Sequence, residues 1–499
     1  MKELSSLNKA LKIVGIIAIL FFLVSTVQAE DWPTFHHDAR HTGYTNETIP
    51  DELELIWSYK TGDFVISSPA VADGKVFVGS RDNKVYCLDE ATGKLIWSYE
   101  TGGYVDSSLA VADGKVFFGS WDHNLYCLDE NTGKLIWSYK TGDSVISSPA
   151  VADGKVVFGS CDDKIYCLDE ATGKLIWSYE SENYGKEGCA GSPAVADGKV
   201  FADSWDGKIY CLDEDSGKLI WSYKTGDHVD SPPVVADGKV FVGSLDDKIY
   251  CLDKDNGRLI WSYKTGGIMR SSPAVADGKV FFSSHDDIIY CLNEDNGNLI
   301  WRYKTGGCGC SSPAIANGKA FFGSGAPTDR IYCLDENNGG LIWSYNIGNH
   351  VGSSPAIANG KIFVGSHDSK IYCFGLKALS LINNAQSVID STKTIGANAT
   401  EAEKLLQQAK TAVNKGKYED AENYANQAKA SAEKAKTMRL ILYGVPILII
   451  VSSVIGYRIT ASRRERKRRY EQKIEEYKAK IEQWKSEGYD VSELEEVLK

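Results

Sequence analysis

Hydrophobic and polar positions alternate in short runs along most of this chain, and the runs return in register. From Ser67 the order is Ser-Ser-Pro-Ala-Val-Ala, a turn at Asp73-Gly74, then Lys-Val-Phe-Val-Gly-Ser to Ser80 and a turn at Arg81-Asp-Asn83. Lys-Val-Tyr-Cys-Leu-Asp follows to Asp89, then a turn at Glu90-Ala-Thr-Gly93 and Lys-Leu-Ile-Trp-Ser-Tyr to Tyr99. Four β-branched and aromatic runs separated by Asp/Gly turns predict a four-stranded meander. The tryptophan of this unit recurs at Trp57, Trp97, Trp137, Trp177, Trp221, Trp261, Trp301 and Trp343, at spacings of 40, 40, 40, 44, 40, 40 and 42 residues. A period of that size marks a repeat architecture. Runs such as Val85–Leu88 are apolar on both faces, so each sheet needs cover on both sides. Radial stacking supplies the cover and ring closure protects the edges, which predicts a β-propeller.

The two ends specify how the ring closes. The first three strand types occur eight times, beginning at Ser67, Ser107, Ser147, Gly191, Ser231, Ser271, Ser311 and Ser353. The last copy stops after Phe374 without a tryptophan strand, whereas an extra one, Leu53–Tyr59, precedes the first copy. The expectation is an all-β, eight-bladed propeller over 53–375, with the N-terminal strand completing the last blade. The repeated tryptophan is assigned a structural role, since burying one removes about 150–250 Å² from water.

The run Asp-x-x-Thr-Gly-Lys-x-x-Trp, following Val-Phe-Val-Gly-Ser and Val-Tyr-Cys-Leu, resembles the PQQ-type (quinoprotein-like) propeller repeat. Asp31-Trp-Pro-Thr-Phe-His-His-Asp-Ala-Arg-His-Thr-Gly43 resembles the leader that precedes such propellers. The resemblance covers about residues 31–375 and implies the fold. The enzymatic branch holds PQQ with Ca²⁺ over the channel, using an adjacent Cys-Cys pair, long insertions and a catalytic Asp. Here Gly309 separates Cys308 from Cys310 and the blades leave little room for insertions. The chain is closer in these respects to non-enzymatic members, such as the propeller lipoprotein of the outer-membrane barrel-assembly machinery. No catalytic residue, cofactor or metal is therefore assigned, and a PQQ-dependent dehydrogenase is the alternative.

The flanks read differently. Lys2, Lys9 and Lys12, an apolar run at 13–24 and Val27-Gln-Ala29 predict a signal peptide over 1–29, with an uncleaved anchor as the other reading. A leader over 30–52 is expected to pack on the propeller, its three histidines included. After the propeller, helical spacing predicts a stalk over 376–438, with Thr400-x-x-Glu403 as a capping box. Residues 440–457 carry no charge and suit a transmembrane helix. The basic cluster Arg458–Arg469 follows at once, which places the C-terminus in the cytoplasm and the propeller outside. In the tail, 458–499, the residues Tyr470, Ile474, Tyr477, Ile481 and Trp484 form a coiled-coil seam through which the chain could self-associate. A receptor signalling to that tail is a further alternative.

Chemistry enters through charge and cysteine. The net charge is −12 while both termini are net basic, so the exported part is acidic, which argues against nucleic acid as its partner. Eight of the twelve cysteines, Cys87, Cys127, Cys167, Cys211, Cys251, Cys291, Cys333 and Cys373, share one repeat position and read as small buried hydrophobes. Cys161, Cys189, Cys308 and Cys310 break that pattern. They and His285 and His367 are metal-ligand types, but they lie on different blades that a wide channel is expected to keep apart. Pairing of Cys161 with Cys189 is the preferred alternative for those two. Sequons mark Asn46 and Asn398 for glycosylation.

Comparing the eight copies locates function. The Ala-Asp-Gly-Lys and Asp-Glu-x-x-Gly-Lys turns hardly change and fall on one face of the disc. The opposite face varies, presenting Arg81, Trp121, Cys161, Trp205, His285 and His367 after Gly-Ser, and Cys189, His228, Cys308, Cys310 and His350 before the next copy. A recognition surface needs such asymmetry, so the variable face is expected to bind another protein or a surface ligand.

Overall fold

The computed structural model describes residues 31–182, 189–309, 311–415, 417–456, 463–487 and 491. The signal segment 1–29, Cys310, Tyr457 and most of the last turn of the tail lie outside them, as do the side chains of 440–456 and 463–470. The chain divides into two units, residues 1–376 and 377–499.

In the first unit every copy folds as an antiparallel four-stranded blade, and there are eight blades. Blade 1 consists of strands Ala70–Ala72, Lys75–Ser80, Lys84–Asp89 and Leu95–Glu100. Blade 8 combines Ala356–Ala358, Lys361–Ser366 and Lys370–Gly375 with the N-terminal strand Glu54–Lys60, in register Trp57 opposite Cys373. The second and third strands of each blade are buried along nearly their whole length. The fourth bulges at Ile96 and its equivalents, leaving a Leu-Ile pair exposed at the rim while the next residue, the tryptophan, turns inward.

That indole does not stay in its own blade. The Trp97 ring of blade 1 lies over Gly133 of blade 2, where an added Cβ would fall 2.6 Å from ring carbon, and its Nε1–H donates to the Glu130 carbonyl at 2.9 Å. The arrangement repeats from Trp57 on Gly93 to Trp301 on Gly339. Gly133 has φ +66°, a left-handed conformation that suits glycine. Asp129 shapes the turn by accepting both the N–H and the hydroxyl of Thr132. The Glu130 carboxylate, almost fully buried, pairs with Lys75 of the preceding blade at 2.7 Å. The glutamate and the glycine of the repeated turn are thus engaged by the preceding blade. Blade 8 takes its fourth strand from the N-terminus and has no such turn, so Trp343 donates instead to the Leu53 carbonyl and Lys319 pairs with Asp51.

The leader crosses the inner strands of six blades. Carbonyls of Trp32, Pro33, Ala39, Arg40, Thr42 and Gly43 accept N–H groups of Val71, Val111, Val195, Val235, Val275 and Ile315. Tyr44–Thr45 then adds a parallel strand to blade 7. Asp31 and Glu47 accept N–H groups of the invariant Asp-Gly and Asn-Gly turns, so the leader caps the channel at that face. His36 and His41 are buried within it.

The second unit is helical: α1, Lys377–Thr394; α2, Thr400–Asn414; α3, Tyr418–Gly456; and α4, Arg463–Ser486. Ile382, Ile389, Leu406, Ala409, Ala425 and Ala428 form the core of α1–α3. The expected capping box does not form. Thr400 lies inside α2 and the Asn398 side chain accepts its N–H and hydroxyl, because the Asx turn one residue earlier already satisfies the first donors, while Glu403 pairs with Lys393. In the tail, Ile481 and Trp484 of the expected seam pack on Met438 and Val491, and Lys434 pairs with Glu487 at 2.7 Å. Two of the five seam positions are thereby engaged within the chain. Among the described residues no helix is long and apolar enough to cross a membrane.

The indole seat predicts a matched pair of losses. Trp97→Ala should destabilise the propeller by about 3–5 kcal/mol. Gly133→Ala, which forces Cβ into the same ring, should cost at least about 1 kcal/mol more than an Ala substitution at exposed Lys134. Equilibrium urea unfolding followed by tryptophan fluorescence measures both.

Candidate functional site

On the face opposite the leader, a repeated backbone hydrogen bond joins two rings of variable residues. Arg81 N–H donates to the Phe64 carbonyl, Trp121 to Tyr104, Cys161 to Ser144, Trp205 to Cys189, Leu245 to His228, His285 to Ile268, Gly325 to Cys308 and His367 to His350, all within 2.9–3.2 Å. These links are made by main-chain groups, with added bonds such as Ser144 Oγ–H to the Trp121 carbonyl and Ser366 Oγ–H to the His350 carbonyl, so the link itself does not dictate which side chain stands at a variable position.

Three groups form on that face. In the first, Arg81 donates to both oxygens of Asp106 at 3.0 Å, and Trp121 Nε1–H donates to the same carboxylate at 3.0 Å. The Arg81 guanidinium lies 5.8 Å from the Tyr104 ring centre, and Tyr104 meets Trp121 edge-on at 6.1 Å. Bidentate contact with Asp106 raises the Arg81 pKa further, so the guanidinium stays charged. Phe64, Tyr104 and Trp121 are 40%, 45% and 44% exposed, far more than core aromatics, and make this the aromatic part of the face. In the second group, Asp230 accepts Trp205 Nε1–H at 3.2 Å and faces Arg270 at 3.5 Å, while His228 Nδ1–H donates to the Trp205 carbonyl. Cys161 and Cys189 are disulfide-bonded beside it. In the third, Cys308 Sγ lies 3.7 Å from His350 Nε2, His350 Nδ1 lies 3.4 Å from His367 Nε2, and His367 stacks on Phe64 at 5.0 Å. Burial lowers His367 to about 4, and it lowers His350 and His285 as well.

The structure therefore unites Arg81 with Trp121, Trp205 with His228, and Cys308 with His350 and His367. That last meeting corrects the expectation that the channel would hold the cysteine and histidine positions apart: neighbouring loops of blades 6 to 8 lean together at the mouth. Burial, then Arg270 and His350, lower the pKa of His285, which places it near the same group. Cys310 lies outside the described residues. Asn46 and Asn398 are both exposed.

Sequence reasoning passed over three carboxylates. Asp106 and Asp230 occupy a position that is Ile66 in one copy and Ile146 in another, a change of character that could have been noticed. Asp203 stands where the other blades have Gly or Ser, and Gly191 stands where they have Ser. The exchange is coupled, for a Cβ on Gly191 would fall 2.1–2.2 Å from the Asp203 carboxyl. Burial, with Asp230 nearby, drives the Asp203 pKa well up, so it is a neutral acid.

Family models match the propeller in two parts: that of the β-propeller of beta-alanine-activating enzyme over 188–374, and that of outer membrane protein assembly factor BamB over 52–105 and 82–227. No curated protein sequence matches. Among solved structures, BamB from Moraxella catarrhalis is similar at TM-score 0.57 and 19% identity, over 65% of this chain and 98% of that one. A europium-containing methanol dehydrogenase gives 0.61 and 17%, over 70% and 98%. Quinohemoprotein alcohol dehydrogenase from Comamonas testosteroni gives 0.59 and 17%, over 70% and 81%. At these identities the likeness establishes the fold.

The residues do not fit PQQ with Ca²⁺. Asp106 and Asp230 are already held by arginine and indole N–H groups, Asp203 is neutral, and among the described residues no three His, Cys, Asp or Glu side chains converge on an ion.

The leader carries the pH prediction. His36 Nδ1–H donates to the His41 carbonyl and His41 Nδ1–H to the Pro233 carbonyl, both at 3.2 Å, and burial holds the rings neutral with pKa values of about 3 and about 4. Unfolded histidines protonate below about 6.5. Stability is therefore full above that pH and falls as pH drops towards 4, by about 1.4 kcal/mol per unit per histidine. Thermal unfolding from pH 7 to 4 should show a steeper loss in the wild type than in a His36→Asn/His41→Asn variant.

Proposed function

We propose, from the premise that the chain is a PQQ-type β-propeller repeat protein, that it is a non-enzymatic binding scaffold displayed at the cell surface, its ligand docking on the variable face. The observation that carries this reading is the division of labour between the two faces. On the leader-capped face the repeated turn gives its glutamate carbonyl and carboxylate to the neighbouring blade. On the other, a repeated backbone hydrogen bond links the loops, and the exposed side chains include two aromatics beside a fixed Arg-Asp pair. Trp, Tyr and Arg are the residue types that dominate binding energy at protein interfaces. The similarity to the outer membrane protein assembly factor BamB supports a protein partner. The dehydrogenase neighbours share the fold, and the misfit of the mouth carboxylates counts against carrying their activity across.

The anchor belongs to the same proposal: a signal segment over 1–29, a single span over 440–457, the propeller outside and the C-terminus in the cytoplasm. The Lys434–Glu487 pair belongs to a hairpin that such a span would part.

Partners retained by the full-length chain in detergent should be lost by at least about tenfold with Trp121→Ala and with Arg81→Ala, each removing about 2 kcal/mol or more, but not with Lys134→Ala on the opposite face. Equal retention by all three would defeat the docking reading. For the anchor, protease added to intact cells should remove the propeller and spare the tail; digestion of the tail under the same conditions would exclude the span.

A further inference from the structure

The cysteines divide by environment. Seven of the eight at the repeat position, such as Cys87 and Cys291, are buried with thiols pushed up to about 12, and Cys373 lies higher still, so all are inert. Cys161 and Cys189 are joined. Cys308 is half-buried at the variable mouth, against the edge of His350, which in turn meets His367. The longer loop of blade 7 makes this meeting possible. It passes the pair at Gly325, where a Cβ would fall 2.2 Å from His350 Cδ2 and 2.6 Å from Cys308 Sγ. Residues equivalent to Cys308 in other blades are Phe64, Tyr104 and Ser144, so the group arises from separate changes on three loops.

The three side chains stand in series. His350 turns one nitrogen to the sulfur and the other to His367, so their donor atoms do not converge on a common point, in keeping with the lack of a three-ligand cluster among the described residues. Convergence suits a metal ion, whereas a series of this kind suits movement of a proton. We propose that Cys308 is a nucleophilic thiol served by His350 as general base, with His367 as the positioning residue, and that it takes disulfides presented at the channel mouth by thiol–disulfide exchange.

In that step His350 Nε2 takes the proton from Cys308 Sγ as the sulfur attacks one sulfur of the disulfide. A new S–S bond to Cys308 forms, the old S–S bond breaks, and the departing thiolate recovers the proton from His350. Cys308 is oxidised to a mixed disulfide and the departing sulfur is reduced, so no other oxidant takes part. A disulfide suits the site because charge passes from sulfur to sulfur. The existing Cys161–Cys189 bond also places the chain where disulfides persist. Burial keeps His350 neutral at pH 7 and able to accept a proton, and Asp329, His285 and His367 are the other titratable groups facing it. The inference goes beyond docking, since a small disulfide tests it with no partner present.

The test uses the full-length chain in detergent with 5,5′-dithiobis(2-nitrobenzoate). One fast-reacting thiol is expected, and peptide mapping of the labelled wild type should locate it at Cys308, a result that does not depend on any variant folding. Cys308→Ser should remove the fast phase and Cys310→Ser should keep it. His350→Gln should slow it at least about tenfold at pH 7, with an unchanged unfolding temperature. His367→Gln should slow it less and move the pH of half-maximal rate, which a purely structural loss would not do. Label at Cys310 instead, or a rate indifferent to His350→Gln, would overturn the proposal. So would stoichiometric zinc on the wild type that Cys308→Ser loses, because the group would then be a metal site.

Discussion

The disc depends on an indole that leaves its own blade. Each tryptophan lies on a glycine of the next blade and donates to the carbonyl three residues before it, so no wedge is complete without its neighbour. Burial of one such ring is worth on the order of 4–6 kcal/mol gross at about 25 cal/mol/Å². The need for a flat, Cβ-free seat fixes the glycine, its left-handed φ follows from the Asp-Thr turn, and the glutamate beside it anchors a lysine of the preceding blade. A ring of Ser-to-Ser contacts near the channel adds a second circuit. It closes from Ser354 to Ser68 and is altered at Pro232, which has no N–H to give and instead accepts the Ser272 hydroxyl.

This constraint sorts the two faces. Where side chains carry the contact between blades, the residues cannot change without a coordinated change next door. Where backbone N–H and C=O groups carry it, as between the loops at the variable mouth, the contact itself does not specify the side chain. The leader strengthens the contrast by spending its own carbonyls on the inner strands and its two buried histidines on carbonyls, all at the invariant side. Variation is left with the other side for reasons of bonding, before any ligand is considered.

Eight blades and the borrowed closing strand were legible because the period is short and the residue types recur; counting strands at the two ends was sufficient. What the tryptophans touch was not legible. A structural role follows from size and repetition, but a seat in the neighbouring blade depends on the bulge at Ile96 and on blade-to-blade geometry that no linear pattern contains. On the variable face, Arg81, Trp121 and Trp205 could be named because they differ between copies. Asp106 and Asp230, which hold them, were hidden in a position where isoleucine also occurs. The capping box failed for a local reason: Asn398, two residues before Thr400, competes for the same donors and wins.

A ring of near-identical wedges has no distinguished direction, so any specific function requires the repeat to be broken, and the breaks are of two kinds. Some restore packing: Gly191 with Asp203 exchanges a serine and a glycine for a glycine and an acid, and Pro232 keeps a partner through Ser272. Such pairs fit each other sterically, although the buried Asp203 Oδ1 accepts no hydrogen bond from the described residues. The break at blades 6 to 8 is different. Cys308, His350 and His367 come from three loops, their nearest approaches of 3.4 and 3.7 Å are longer than strong hydrogen bonds, and none replaces a contact that the other blades require. A substitution that repairs packing is explained once the packing is whole. A group assembled from three loops that repairs nothing has its explanation in what it can do to a molecule arriving at the mouth.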